Sequence, residues 1–268
     1  SVRRLETRFH AALPSVQRSI RGRVTILKPL SMRIPGPLIP AEFILRPNRF
    51  LAKVRIDGKM VWAHVPDPGR LKELLIPGAR VLVQAKNGEK RKTKFALVMV
   101  YKGEELVSIN TLLPNRFVRF CLDNRQIPEL ANWTVIKPEF LVGHSRFDFL
   151  LGKGRQQMLL EVKSVTLVED RIAKFPDAVT ARGLRHIQHL SEMRQTGYAT
   201  TVLFIVQRSD ADRFQPHWSR DPAFAQALAL AQTEGLQILV YSAQITPECM
   251  TLQNRLVVDL NSEEWLPV

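Results

Sequence analysis

Between Glu42 and Asn110 the chain turns too often to hold a helix of any length. Arg46-Pro47-Asn48-Arg49, Asp57-Gly58, Pro66-Asp67-Pro68-Gly69 and Pro77-Gly78 all carry turn chemistry. Proline fixes φ and lacks a donor, and Asp-Gly suits the two-residue turns that match strand twist. The stretches between them read as strands: Phe43–Leu45, Leu51–Ile56, Met60–Val65, Arg80–Ala85, Phe95–Tyr101 and Leu106–Ile109. Arg70–Leu75 leaves room for one or two helical turns. Five or six strands in so short a stretch suggest a small β-barrel, and an OB-like barrel is the natural candidate.

After Pro114 the texture changes. Asn115–Asp123 and Asp177–Gln195 predict helices, the second ended by Gly197 as a C-cap. Pro222–Gln232 predicts a third, with Asp221 as N-cap and proline at the first helical position. Trp133–Ile136, Phe140–Val142, Thr200–Val206, Leu236–Tyr241 and Leu256–Leu260 are extended, and Arg146–Leu151 joins Met158–Val162 across Gly152-Lys153-Gly154. Strands that alternate with helices define an α/β domain around a central sheet. The expected fold class is therefore mixed α/β, in three parts: a basic, proline-containing and poorly ordered extension over 1–40, an OB-like barrel over 41–112, and an α/β domain over 113–268.

Composition narrows the function. The 268 residues are 45% hydrophobic and 24% charged, which excludes a chain disordered throughout. No apolar run nears the roughly 20 residues of a membrane helix, so no membrane partner is expected. Two cysteines, Cys121 and Cys249, are too few for a disulfide framework and fit a cytoplasmic setting. The net charge of +14 points to a polyanion, nucleic acid before membrane. Half of it, +7, lies in residues 1–40, where eight Lys and Arg face only Glu6. That segment reads as a phosphate-touching arm, an organelle-targeting peptide or an extension without a role. The loop Lys86–Lys94, with Lys90, Arg91 and Lys92 at its centre, carries five cations and one acid and suits either DNA phosphates or plain solvent.

The chemistry concentrates in Arg146-Phe-Asp148-Phe and Glu161-Val-Lys163-Ser. Side chains alternate along a strand, so Glu161 and Lys163 share a face, and a hairpin brings Asp148 beside Glu161. Charges among apolar strand residues are costly to bury unless paired or bound to metal. Two carboxylates can hold a hard cation, Mg²⁺ or alternatively Mn²⁺, and a lysine can orient water at a phosphate. This is the logic of an Asp…Glu-x-Lys nuclease centre, with Glu139 as a further carboxylate. The competing reading is a structural salt bridge, Glu161–Lys163 or Asp148–Arg146.

On the long helix Leu184, Ile187, Leu190 and Met193 form a core stripe, while Arg182, His186 and His189 project together on an adjoining face. That row could contact DNA phosphates; for Arg185 and His189 a solvated polar face is preferred. A zinc site from His186 and His189 would need further nitrogen or sulfur ligands, and the sequence offers none in view.

From about Leu45 to Leu260 the chain resembles the sugar fermentation stimulation protein A family of bacteria and archaea. The stretches that carry this are His64-Val-Pro-Asp-Pro-Gly-Arg-Leu71, Ser108-Ile-Asn-Thr111, Leu113-Pro-Asn-Arg116, Ser145-Arg-Phe-Asp-Phe149, Glu161-Val-Lys-Ser-Val-Thr166 and Phe175-Pro-Asp-Ala-Val-Thr180, with Arg182-Gly183 and His186. The resemblance implies an OB-like domain followed by a restriction-endonuclease-like domain. It implies an acidic centre at Asp148, Glu161 and Lys163 with Glu139 as companion, and a helix motif at Arg182 and His186. It further implies DNA binding without sequence specificity and a role in regulating sugar (maltose) metabolism. Two functions are therefore expected to compete: a DNA-binding Mg²⁺-dependent nuclease, with Arg70 among its DNA contacts, and a non-catalytic DNA-binding regulator. A homodimer is an open expectation.

Overall fold

A computed structural model of the chain describes residues 30–88 and 92–261. Most of the expected extension, and Lys90 and Arg91 of the basic loop, lie outside the described residues.

The first strand corrects the expected domain plan. β1 (Ser31–Arg33) falls in the segment read as a poorly ordered extension, yet it pairs with a strand near the C-terminus, Met32 opposite Met250. Three residues with little pattern give no strand signal of their own; the register exists only because a distant partner supplies it.

The barrel follows: β2 (Leu38–Asn48), β3 (Leu51–Ile56), β4 (Lys59–His64), β5 (Arg80–Ala85) and β6 (Phe95–Lys102), with β7 (Glu105–Ser108) beside β6. The order β4-β3-β2-β5-β6 closes through a short parallel contact of β4 with β6, Ala63 opposite Phe95. Five closed strands are the OB-like architecture expected. Phe43, Val54, Val81, Val83, Leu97 and Val107 fill the interior. Closure removes the open edges that would otherwise invite pairing with other chains.

The remainder is an α/β layer. α1 (Leu113–Asp123) leads to β8 (Thr134–Val142), β9 (Ser145–Lys153) and β10 (Gln156–Val165). Next come β11 (Val168–Glu169), β12 (Ile172–Phe175), α2 (Ala181–Gln195), β13 (Ala199–Val206) and β14 (Arg213–Pro216). The chain finishes with α3 (Pro222–Thr233), β15 (Gln237–Ile245), β16 (Cys249–Arg255) and β17 (Val257–Val258). A seven-stranded sheet runs β1-β16-β15-β13-β10-β9-β8, parallel where β10, β13 and β15 meet. A small four-stranded sheet, β11-β12-β14-β17, flanks it.

Two cores follow from strand alternation. Leu160, Val162, Leu203 and Ile205 face α1 and the outer wall of the barrel, where Phe117, Cys121, Val98 and Met99 join them. Leu159, Val202, Phe204 and Val206 face α2 and α3 through Ile187, Leu190, Phe224 and Leu228. Glu161 and Lys163 thus start from the α2 side. α2 begins at Ala181, later than the sequence suggests, because the Thr180 hydroxyl caps it by accepting from the Gly183 N–H at 3.0 Å. Among the described residues no helix is long and apolar enough to cross a membrane.

Candidate functional site

The β9–β10 hairpin is a ladder that opens into a fork. The strands pair from Gln156 opposite Lys153 to Leu160 opposite Phe149 and then part. One more step would set Asp148 against Glu161. Instead, Asp148 Oδ2 accepts from the Val162 N–H at 2.7 Å, taking the place of a ladder carbonyl. Oδ1 accepts from Asn115 Nδ2 at 2.5 Å, from the first turn of α1. β10 meanwhile keeps its parallel ladder with β13 as far as Val165. Burial, then the neighbouring Glu161 charge, push the Asp148 carboxyl up to about 6.

Glu161 is only 4% exposed. Its Oε1 accepts from Lys163 Nζ at 2.6 Å and pairs with His186 Nδ1, reaching across from α2. Burial opposes its charge, but the Lys163 charge and the hydrogen bonds from His186 and Lys163 outweigh burial and hold the carboxyl below its usual range. Its Oε2 is buried and has no hydrogen-bond partner. A buried acceptor left unsatisfied is uncommon and costs about 1–3 kcal/mol. An ionised carboxylate with one free oxygen, beside a second carboxylate, is a donor set that fits a hard divalent cation.

The other expected site residues divide. Glu139 falls across from Asp148 in the β8–β9 register, between the pairs Pro138–Phe149 and Phe140–Phe147. Its φ is +49°, unusual for a residue inside a strand, and its exposed carboxylate lies 3.6 Å from Arg146. Arg146 therefore pairs with Glu139, not with Asp148. Arg182 is exposed on the first turn of α2. His186, expected beside it on a DNA-facing row, is 7% exposed and bonded to Glu161. His186 is buried and not DNA-facing because the α2 face that packs on the sheet meets the charged Glu161, which takes a polar partner there. His189, read as solvated, is 1% exposed. Arg70 and Lys92 are exposed.

The barrel loop over 66–70 borders this site. The Arg46 guanidinium donates to four backbone carbonyls: Asp67 at 2.8 Å, Arg49 at 2.5 Å, Gly69 at 2.8 Å and Arg70 at 2.9 Å. Asp177, before α2, accepts from the Arg70 N–H at 2.8 Å and fastens the loop to the α/β layer. Burial pushes the Asp67 carboxyl up to about 6. A groove of about 410 Å³ runs between the two parts, lined by Arg49, Gly69, Lys163, Lys174 and Val179 among others. A second groove of about 620 Å³ shares Arg49 and Gly69 and continues to Arg46, Arg70 and Lys72. On the barrel Phe50 and Trp62 are exposed, with the Arg49 and Lys53 cations 6.0 and 5.6 Å from their rings.

Asn115, Arg46, Phe50 and Trp62 are not among the residues that the sequence pattern singles out for the site. Only Phe50 left a signal, as the neighbour of Arg49; Lys53 and Trp62 meet across β3 and β4. Asn115 and Arg46 act through partners that lie far off in the chain.

Fold and site together define an OB-like barrel joined to a restriction-endonuclease-like α/β domain. Residues 44–109 match the family model described as the SfsA N-terminal OB domain, and residues 112–249 match the sugar fermentation stimulation protein RE domain. The chain belongs to the sugar fermentation stimulation protein A family. It is 41% identical over 230 residues to a sugar fermentation stimulation protein homolog of Clostridium botulinum strain Hall, covering 85% of this chain and all of the relative. A homolog of Chloroflexus aggregans is 43% identical over 222 residues, 83% of this chain and 85% of its own. The solved structure of Pyrococcus furiosus SfsA in complex with Ca²⁺ matches with a TM-score of 0.79 at 30% identity, over 85% of this chain and 98% of that one.

Proposed function

We propose that this protein binds DNA by its phosphate backbone, without sequence preference, and cleaves phosphodiesters at the fork between β9 and β10 with Mg²⁺ or Mn²⁺. The observation that carries this reading is Glu161 Oε2, buried and unpartnered beside Asp148. The Ca²⁺ of the Pyrococcus relative supports it, since that ion also takes oxygen ligands.

Asp148 and Glu161 would hold the ion, with Glu139 on the adjoining strand as a third carboxylate. Such an ion supplies Lewis-acid polarisation of the phosphate and a more acidic water. His186 fixes the Glu161 carboxylate by its Oε1, leaving Oε2 for the site. Lys163, 2.6 Å from Glu161, orients the attacking water and offsets charge in the transition state. Asn115 and the Val162 N–H hold Asp148 in place. Arg182, Arg70 and Lys92, with Lys90 and Arg91, are the phosphate contacts we assign, and the groove beside Lys163, with the second groove that shares Arg49 and Gly69, is the path for the strand. We place this activity in the cytosol.

The ion pair of Lys163 with Glu161 favours a second reading, in which the site is already neutralised and the protein is a non-catalytic DNA-binding regulator of sugar metabolism genes. One assay separates the two. Single- and double-stranded DNA are incubated with native protein, Lys163→Ala and Asp148→Ala, with Mg²⁺ or Mn²⁺. The nuclease reading expects cutting by native protein and a loss of about 10²–10³-fold in each variant. Equal background cutting by all three, with binding intact, leaves the regulator. Binding that does not weaken as salt rises contradicts DNA phosphate contact in either reading.

A further inference from the structure

One helical turn beyond His186, α2 carries a second group of ligand-type side chains that the acidic fork does not use. His189 and Glu192 stand at i and i+3, on one face of the helix. The turn joining β8 to β9 brings His144 onto that face. The imidazoles of His144 and His189 stack with centroids 3.9 Å apart, and one ligand atom from each of His144, His189 and Glu192 lies within 4.8 Å of the others. The third ligand that helix spacing alone could not provide comes from a hairpin 45 residues earlier in the chain.

Two further observations concern His189 and the turn that covers it. His189 is 1% exposed, and its Nδ1 is buried with no hydrogen-bond partner. Gly143 has a φ of +54°, and a Cβ there would meet His189 Nε2 at 2.8 Å, so only glycine lets the turn close on this ring. His144 and Glu192 are exposed, which leaves the site open to solvent on one side.

We propose that His144, His189 and Glu192 form a binding site for a borderline transition-metal ion, Zn²⁺ in the first place. Two imidazoles and a carboxylate match the preferences of Zn²⁺, with an open fourth position, and not those of Mg²⁺ or Ca²⁺, which take oxygen. Donors about 2.1 Å from a tetrahedral ion stand roughly 3.4 Å apart, so closing the set requires the exposed His144 ring to turn out of its stack on His189 and the exposed Glu192 to swing in. The ion would clamp the β8–β9 turn to α2. β9, which leaves that turn, carries Asp148, and α2 carries His186, so the clamp shares its supports with the acidic fork without using its carboxylates.

The test uses the full chain without a histidine tag, stripped with chelator and titrated with Zn²⁺ by calorimetry in excess Mg²⁺, and with Co²⁺ by absorption. His144→Ala and Glu192→Gln change exposed side chains and keep the fold. Asp148→Asn removes a ligand of the other site. The expected result is one equivalent of Zn²⁺ on native protein and on Asp148→Asn, with affinity at least about tenfold lower in the other two variants. Co²⁺ is expected to give the intense visible bands of a low-coordinate site, and Zn²⁺ to raise the unfolding temperature of native protein but not of His144→Ala. Absence of binding, equal binding by all four proteins, or a loss confined to Asp148→Asn overturns the proposal. None of these outcomes depends on DNA cleavage.

Discussion

The barrel and the fork handle charge in opposite ways. On the barrel, cations lie at the surface: Arg49 and Lys53 lean on exposed Phe50 and Trp62, and Arg70 and Lys72 line an open groove. In the fork, charge is buried. Asp148 and Glu161 sit among apolar strands and are held by a lysine, a histidine, an asparagine and a backbone N–H. Exposed charges cost little to keep and contribute little to stability. Buried ones must be matched group by group, and one oxygen in the fork is unmatched. The contrast sets a barrel with cations on an open surface against a fork with a buried, unmatched oxygen, and the proposed function rests on that difference.

The strongest break of this contrast comes at Lys163. Lys163→Ala leaves the Glu161 charge buried with only His186 beside it, so a loss of about 3 kcal/mol in denaturant unfolding is expected on top of lost cleavage. A surface-like loss below about 0.5 kcal/mol would show that the pair is solvated.

Asp148 supplies a signed test. Its carboxyl lies above its ordinary 3.8, at about 6, so the folded chain retains a proton that the unfolded chain has released. Stability contributed by this group therefore falls as pH rises from about 4 to about 6, and is flat above. In chelator, Asp148→Asn is expected to gain on native protein across that window, by up to about 3 kcal/mol at pH 7. A gain independent of pH would mean that the carboxyl is not perturbed. If the fork holds the proposed ion, its affinity is expected to run the other way, rising with pH through about 6 as the carboxylate ionises.

On the barrel the expected effects are smaller. Trp62→Ala should weaken single-stranded DNA binding by about 1–3 kcal/mol if a base stacks there, and leave cleavage per bound complex unchanged. Arg182→Ala, on an exposed helix end, should lower the slope of log affinity against log salt by about 1 and leave the melting temperature alone. A melting shift for Arg182→Ala would place that side chain with the buried set.

The meeting of Asp148, Glu161 and Lys163 was legible because strand alternation is local: Glu161-Val-Lys163 must present its charges to one face, and the hairpin closed at Gly154 sets that strand beside Asp148. The fork itself was not legible. It depends on Asn115 and Val162 meeting Asp148, and on α2 laying His186 against Glu161, all contacts set by tertiary packing. The closed barrel showed through its turn residues, whereas β1, β11 and β14 are two to four residues long and too short to carry a period. His144 carried no signal, since nothing in a hairpin turn announces which helix it will meet.

Diffraction at the manganese edge from crystals soaked in Mn²⁺ tests the central claim most directly. The account expects an anomalous peak bounded by Glu161 Oε2 and the Asp148 carboxylate, with Lys163 Nζ within reach of a water on the ion. A fork without a peak, with Lys163 still fastened to Glu161 and Oε2 still unpartnered, would contradict it.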